Sequence, residues 1–157
     1  MSITTTRGGY LAAAVQKAAF IVGIAFVAVG VMGFIPGTTE GITAGEADSG
    51  AHLAGHGSDN FLFGVFHVSA LHNVLHLGLG LLGIALAAKA GLAKAYLLGG
   101  GVIYLVLFAF GILVADRDIP ANFIPLNWAD NWLHLGLAVV MIALGVVLGR
   151  RRSSGAA

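Results

Sequence analysis

Cysteine is absent from the chain, so neither a disulfide nor a thiolate metal ligand is available to it. Charge is scarce as well: Asp, Glu, Lys and Arg make up 10% of the 157 residues, against about 25% in soluble domains. With 58% hydrophobic residues and a mean hydropathy of +0.93, a chain of this length cannot hide its apolar side chains from water. A freely soluble domain is excluded, and lipid must be part of the solvent. Nucleophile elbows, phosphate-binding glycine loops, zinc-protease helices and basic nucleic-acid surfaces are also missing. The expectation is a protein that is not an enzyme and has no nucleic-acid partner.

What the chain does have is four apolar runs, at residues 18–35, 69–88, 95–115 and 132–149, none containing Asp, Glu, Lys or Arg. Each is long enough to cross a hydrocarbon core of roughly 30 Å at about 1.5 Å per residue. The charges between them are sorted by sign. Arg7, Lys17, Lys89, Lys94, Arg150, Arg151 and Arg152 fall on one side, and only Arg117, between Asp116 and Asp118, falls on the other. Glu40, Glu46, Asp48, Asp59, Asp116, Asp118 and Asp130 all lie in the two remaining loops, 36–68 and 116–131. The positive-inside rule then predicts cytoplasmic termini in a multi-pass protein of the cell membrane. Residues 1–17 form a cytoplasmic leading segment, 18–149 the membrane domain and 150–157 a basic tail. The first run is longer than a signal-peptide core and lacks a small-residue cleavage site directly after it, so it reads as a retained helix.

Punctuation refines the boundaries. Pro36-Gly37 ends the first helix, and the Gly-, Ser- and Thr-rich stretch 37–60 reads as an irregular loop in which His52 and His56 are solvated. Phe61–Phe66 reads as the outer start of the second helix, and Lys89–Lys94 as a tight turn. Pro120 and Pro125 make 116–131 a stiff loop, and Trp128 and Trp132 mark an interfacial belt. Gly145 and Gly149, with Gly30, Gly33, Gly78, Gly80, Gly83 and Gly136, are helix-contact candidates within one bundle.

The strongest internal signal is a repeat. Asn73-Val74-Leu75-His76-Leu77-Gly78-Leu79 recurs as Asn131-Trp132-Leu133-His134-Leu135-Gly136-Leu137, and Ile84-Ala85-Leu86 recurs as Ile142-Ala143-Leu144 at the same offset. A weaker match sets Ala19–Gly23 against Ala95–Gly99. The pattern predicts a duplicated two-helix hairpin with repeats in parallel orientation.

Polar side chains are costly in hydrocarbon and mark sites by default. The cluster consists of Ser69, His72, Asn73, His76, Asn131 and His134. His72, Asn73 and His76 share one helix face, and the two Asn/His pairs fall at similar depth in the outer half of the bilayer. Three functions fit such a cluster. The Asn and His side chains bond between helices and fix the bundle, giving a structural or partner-binding protein without a cofactor. Alternatively, His72, His76 and His134 hold a transition metal, or a pair of them holds haem. The third is a proton or small-solute path, since imidazole titrates near neutral pH. Beyond the lipid bilayer, the partners open to such a protein are a second copy or another membrane protein.

The motifs His67-Val68-Ser69-x-Leu71-His72-Asn73-x-x-His76-Leu77-x-x-Gly80, Ala95-Tyr96-Leu97-Leu98-Gly99-Gly100-Gly101-x-x-Tyr104 and Asn127-x-x-Asp130-Asn131-x-Leu133-His134-Leu135-Gly136 resemble a family of small four-helix membrane proteins. This is the mainly actinobacterial domain of unknown function 4383, and the resemblance covers nearly the whole chain. It implies an all-α, integral-membrane four-helix bundle and transfers no activity.

Overall fold

No proline interrupts the apolar runs, and they form four helices: α1 (Ala14–Met32), α2 (Ala70–Leu86), α3 (Ala90–Val114) and α4 (Trp128–Leu148). The computed structural model describes residues 9–40 and 60–150. His52, His56, Glu46, Asp48, Asp59 and the arginines at 7, 151 and 152 therefore lie outside the described residues. Helices α1, α3 and α4 are long and apolar enough to cross a membrane, whereas α2, at 17 residues, is shorter. The Ser69 cap and the turn at 87–89 trim α2 to less than the expected 69–88 span.

Two local expectations fail. Phe61–Phe66 is not helical: Phe61–Leu62 (β2) and Phe66–His67 (β3) form an antiparallel hairpin, which Thr39–Glu40 (β1) extends at the β2 edge. Phe63 and Gly64 both adopt positive φ (55° and 67°), the backbone that reverses a hairpin and stops a helix. Nor is 89–94 a turn. Helix α3 begins at Ala90, so Gly91 and Lys94 lie in its first turns. The loop before α4 holds a single 3-10 turn at Pro120–Asn122. There, Asn122 bonds the Leu126 amide and carbonyl at 3.0 and 3.3 Å.

Helix α1 packs mainly on α2, and α3 on α4, so the bundle is two hairpins laid side by side. The two backbones approach more closely in the first hairpin. A methyl group at Gly23 would sit 2.7 Å from the Gly80 carbonyl oxygen, and one at Gly80 would sit 2.6 Å from the Val27 amide nitrogen. In the second hairpin the equivalent residues are Gly101 and Ala138, and a methyl at Gly101 would stand 3.1 Å from the Ala138 oxygen.

These contacts fix the true register of the duplication. Gly23 packs on Gly80 and Ile84 as Gly101 packs on Ala138 and Ile142, and Gly33 meets the Asn73 amide as Gly111 meets Asn131. Helix α3 therefore repeats α1 two residues later than the Ala19–Gly23/Ala95–Gly99 alignment implies, while α4 repeats α2 as the sequence indicates. Gly145 packs on Leu97 and Leu98 inside its own hairpin, but Gly78 and Gly136 are exposed, and a methyl added at either would meet nothing within 4 Å, so neither is a packing site within the bundle.

Polar side chains close the end of the bundle that carries Gln16. Gln16 is buried, and its Nε2 donates to the Ala87 and Ala88 carbonyls at 2.9 and 3.1 Å. It thereby satisfies the oxygens that the end of α2 leaves free. Between the hairpins, the Tyr96 hydroxyl of α3 donates to the Leu79 carbonyl of α2 at 3.2 Å.

Candidate functional site

The cluster divides by task. Ser69 is the N-cap of α2, its hydroxyl accepting from the His72 amide at 3.2 Å. Asn73 Nδ2 donates to the Gly33 carbonyl at 2.8 Å, joining α2 to the end of α1. Both are buried and bonded, and both serve the scaffold.

The second repeat copies this arrangement with altered chemistry. Asn127 takes the place of Ser69 as the N-cap of α4, accepting from the Asp130 amide at 2.8 Å. Asp130 occupies the position of His72. Its Oδ2 accepts from the Asn127 amide at 3.2 Å and from the His67 amide of β3 at 2.9 Å. Asn127 Nδ2 donates to the Val65 carbonyl at 2.7 Å, so the start of α4 is pinned to the β2–β3 hairpin. Asn131 is completely buried against Gly111, and neither of its amide atoms finds a protein partner.

The histidines form a different feature. His72 and His76 stack with ring centroids 4.5 Å apart, and His76 Nδ1 donates to the His72 carbonyl at 3.1 Å. His76 lies edge-on to Phe26 of α1 at 5.7 Å, and Phe26 contacts Tyr104 of α3 at 5.5 Å. Tyr104 in turn meets His134 of α4 at 5.3 Å. Phe26 and Tyr104 hold equivalent positions in the two repeats, so each hairpin pairs its histidine with its own aromatic ring. The result is a chain of five rings across the bundle axis.

His72, His76 and His134 also line a single cavity of about 330 Å³. Its other walls are apolar or aromatic, from Leu79, Tyr104 and Leu107 on the helices and from Ile124 and Leu126 of the loop before α4. Leu75, Ile103 and Phe110, all exposed on the outside of α2 and α3, form its rim. The rim lies where these helices touch little, at the seam between the hairpins. His72 and His134 are only 7% and 5% exposed, yet the Nδ1 atom of each is buried without a hydrogen-bond partner in the protein.

His72, His76 and His134, read from the sequence as one cluster, border this one cavity. Among the described residues, no group of three or more His, Cys, Asp or Glu side chains converges as metal ligands. His67 stands apart, stacked on Phe61 at 4.9 Å. Sequence reasoning missed Phe26, Tyr104 and the loop residues over the cavity. Tyr104, a polar aromatic inside an apolar run, was the available signal.

A family model described as a domain of unknown function (DUF4383) matches residues 16–147, which include all but the edges of the four helices. No curated protein and no solved structure matches the chain.

Proposed function

The chain belongs to the DUF4383 family of unknown function, and we propose that it is a non-enzymatic membrane protein that binds a small lipid-soluble ligand between its hairpins. All four helices cross the cell membrane in this reading, with both termini cytoplasmic. The sorted charges of the sequence support that orientation. Ser69 and Asn73 fix the bundle, while the histidines face a ligand.

One observation carries the reading: His72 and His134 line an otherwise apolar cavity, and each keeps a buried ring nitrogen unbonded. A buried polar atom without a partner costs about 1–3 kcal/mol. A residue whose only task was register would be expected to bond across helices, as Asn73 does. A cavity with an apolar lining and a few convergent polar groups is the common form of a ligand site.

Organic extraction of the purified protein followed by mass spectrometry tests this. The expected result is a lipophilic molecule at about one per chain, lost in Leu107→Trp, which fills the cavity. Absence of such a molecule, or its indifference to the filled cavity, would refute the binding function.

A further inference from the structure

We propose that the β2–β3 hairpin is a lipid anchor, its tip residues Phe63 and Val65 seated among phospholipid headgroups at that end of the bundle. This rests on the four-span arrangement above and is independent of any ligand in the cavity. The tip is poorly suited to water. Residues 61–66 include no polar side chain, and Phe63 and Val65 at the turn are 55% and 47% exposed. Hairpin turns in water favour Asn, Asp and Gly, of which only Gly64 is present here.

The height of the hairpin places it at a membrane boundary. It is bonded to the start of α4, through the His67 amide to Asp130 at 2.9 Å and the Val65 carbonyl to Asn127 at 2.7 Å. The 21 residues of α4 rise about 30 Å, the thickness of a hydrocarbon core. On its other side, the Phe63 amide donates to the Thr38 carbonyl at 2.8 Å, just past the end of α1. Helix α2, with 17 residues, rises only about 25 Å, so the hairpin directly before it cannot stand clear of the bilayer. Apolar surface is continuous up to this level. Exposed Ile24, Val31, Phe34 and Ile35 carry it along α1 to the hairpin end, and exposed Trp128 marks the same level on α4. Two features hold the tip at headgroup depth. An open three-stranded sheet is not tolerated in hydrocarbon. Exposed Glu40 also lies at the tip, where a methyl on Gly64 would stand 3.2 Å from its carboxylate, and that charge belongs among headgroups or in water.

The chain has no cysteine, so Phe63→Cys and Val65→Cys each place a single nitroxide label on the tip of the full chain in phosphatidylcholine nanodiscs. Val102→Cys, at an exposed position midway along α3, is the hydrocarbon reference, and Arg117→Cys, in the loop after α3, is the aqueous one. Collision of the label with oxygen, which concentrates in lipid, is compared with collision with a water-soluble nickel chelate. The expected oxygen-to-nickel ratio at 63 and 65 is severalfold above that at 117 and below that at 102. Undiminished protection of the His67 amide from exchange identifies labelled proteins whose hairpin remains docked. In the protein without labels, phosphatidylcholine carrying a nitroxide on its headgroup should broaden the Phe63 and Val65 amide signals. A hairpin in water gives ratios at 63 and 65 equal to that at 117 and no such broadening, which overturns the anchor and leaves the four spans in place. Labels at 63 and 65 that neither reagent reaches show a tip covered by protein, a second copy or another chain, and overturn it equally. A Val102 label dominated by nickel removes the four-span arrangement and the anchor with it.

Discussion

Gly80→Leu is expected to destabilise the bundle by about 3 kcal/mol. At this crossing two backbones meet without side chains between them, and even a methyl would reach within 2.6 Å of the Val27 amide and 2.7 Å of the Gly23 carbonyl. Both obstacles are main chain, so no rotamer change relieves the clash and α1 must move off α2. In lipid the consequence is larger than lost packing alone suggests. Helix association there depends on close van der Waals approach, because lipid is as apolar as the helix surface. The control is Gly78→Ala, two residues away, where an added methyl meets nothing within 4 Å. That variant is expected to be neutral, or more stable by up to about 1 kcal/mol through helix propensity. Reversible unfolding in mixed micelles measures both. A Gly80→Leu variant within about 0.5 kcal/mol of the parent, below the usual cost of overpacking, would show that the hairpin does not depend on this approach.

The second large effect is expected at Asp130→Ala. Asp130 is 2% exposed and receives two backbone amides, one from its own capping box and one from β3. Removing the carboxylate orphans both donors where water has little access. Hydrogen bonds to a carboxylate contribute about 1.5–3 kcal/mol, so a loss of about 3 kcal/mol is expected. Asp130→Asn, which retains a carbonyl acceptor, should lose less than half of that. Amide exchange gives an independent readout, since the His67 amide should lose protection in Asp130→Ala. Unchanged stability together with unchanged His67 protection would place the anchorage of α4 elsewhere.

Much of this architecture is legible in the sequence. The Asn73/His76 and Asn131/His134 repeat identified α2 and α4 as copies because four identical residue types recur at one spacing. Their shared N-cap position is hidden in the sequence, because Ser69 is replaced by Asn127 and His72 by Asp130. The same caps perform the same task with different side chains. The α1/α3 register was harder to read. Only Gly23/Gly101, Gly33/Gly111 and the Phe26/Tyr104 ring pair carry it, and these are ordinary residues in apolar helices until their contacts are seen. Phe61–Phe66 misled for a physical reason. A short apolar run has no decisive period, and the positive φ at Phe63 is not written in its residue type. Gln16 was invisible as a cap because its partners, Ala87 and Ala88, lie 71 and 72 positions away.

The candidate site divided along the same line. Ser69, Asn73, His72, His76, Asn131 and His134 were recognisable as costly residues in lipid, but sequence could not separate those that lock the helices from those that face a cavity. The cavity lining makes that separation: His72, His76 and His134 border the cavity, and Ser69, Asn73 and Asn131 do not. Ser69 and Asn73 are satisfied within the protein, whereas His72 and His134 are not.

The most direct measurement is the unfolding free energy of the His72→Leu/His134→Leu double variant, purified free of lipophile, in mixed micelles. Leucine can replace the ring packing of His72 and His134, and their orphaned nitrogens destabilise the empty bundle. The account therefore predicts unchanged or greater stability, by up to about 2 kcal/mol. A loss of about 2 kcal/mol, on the scale of broken interhelical hydrogen bonds, would contradict it and return the histidines to the role of structural locks.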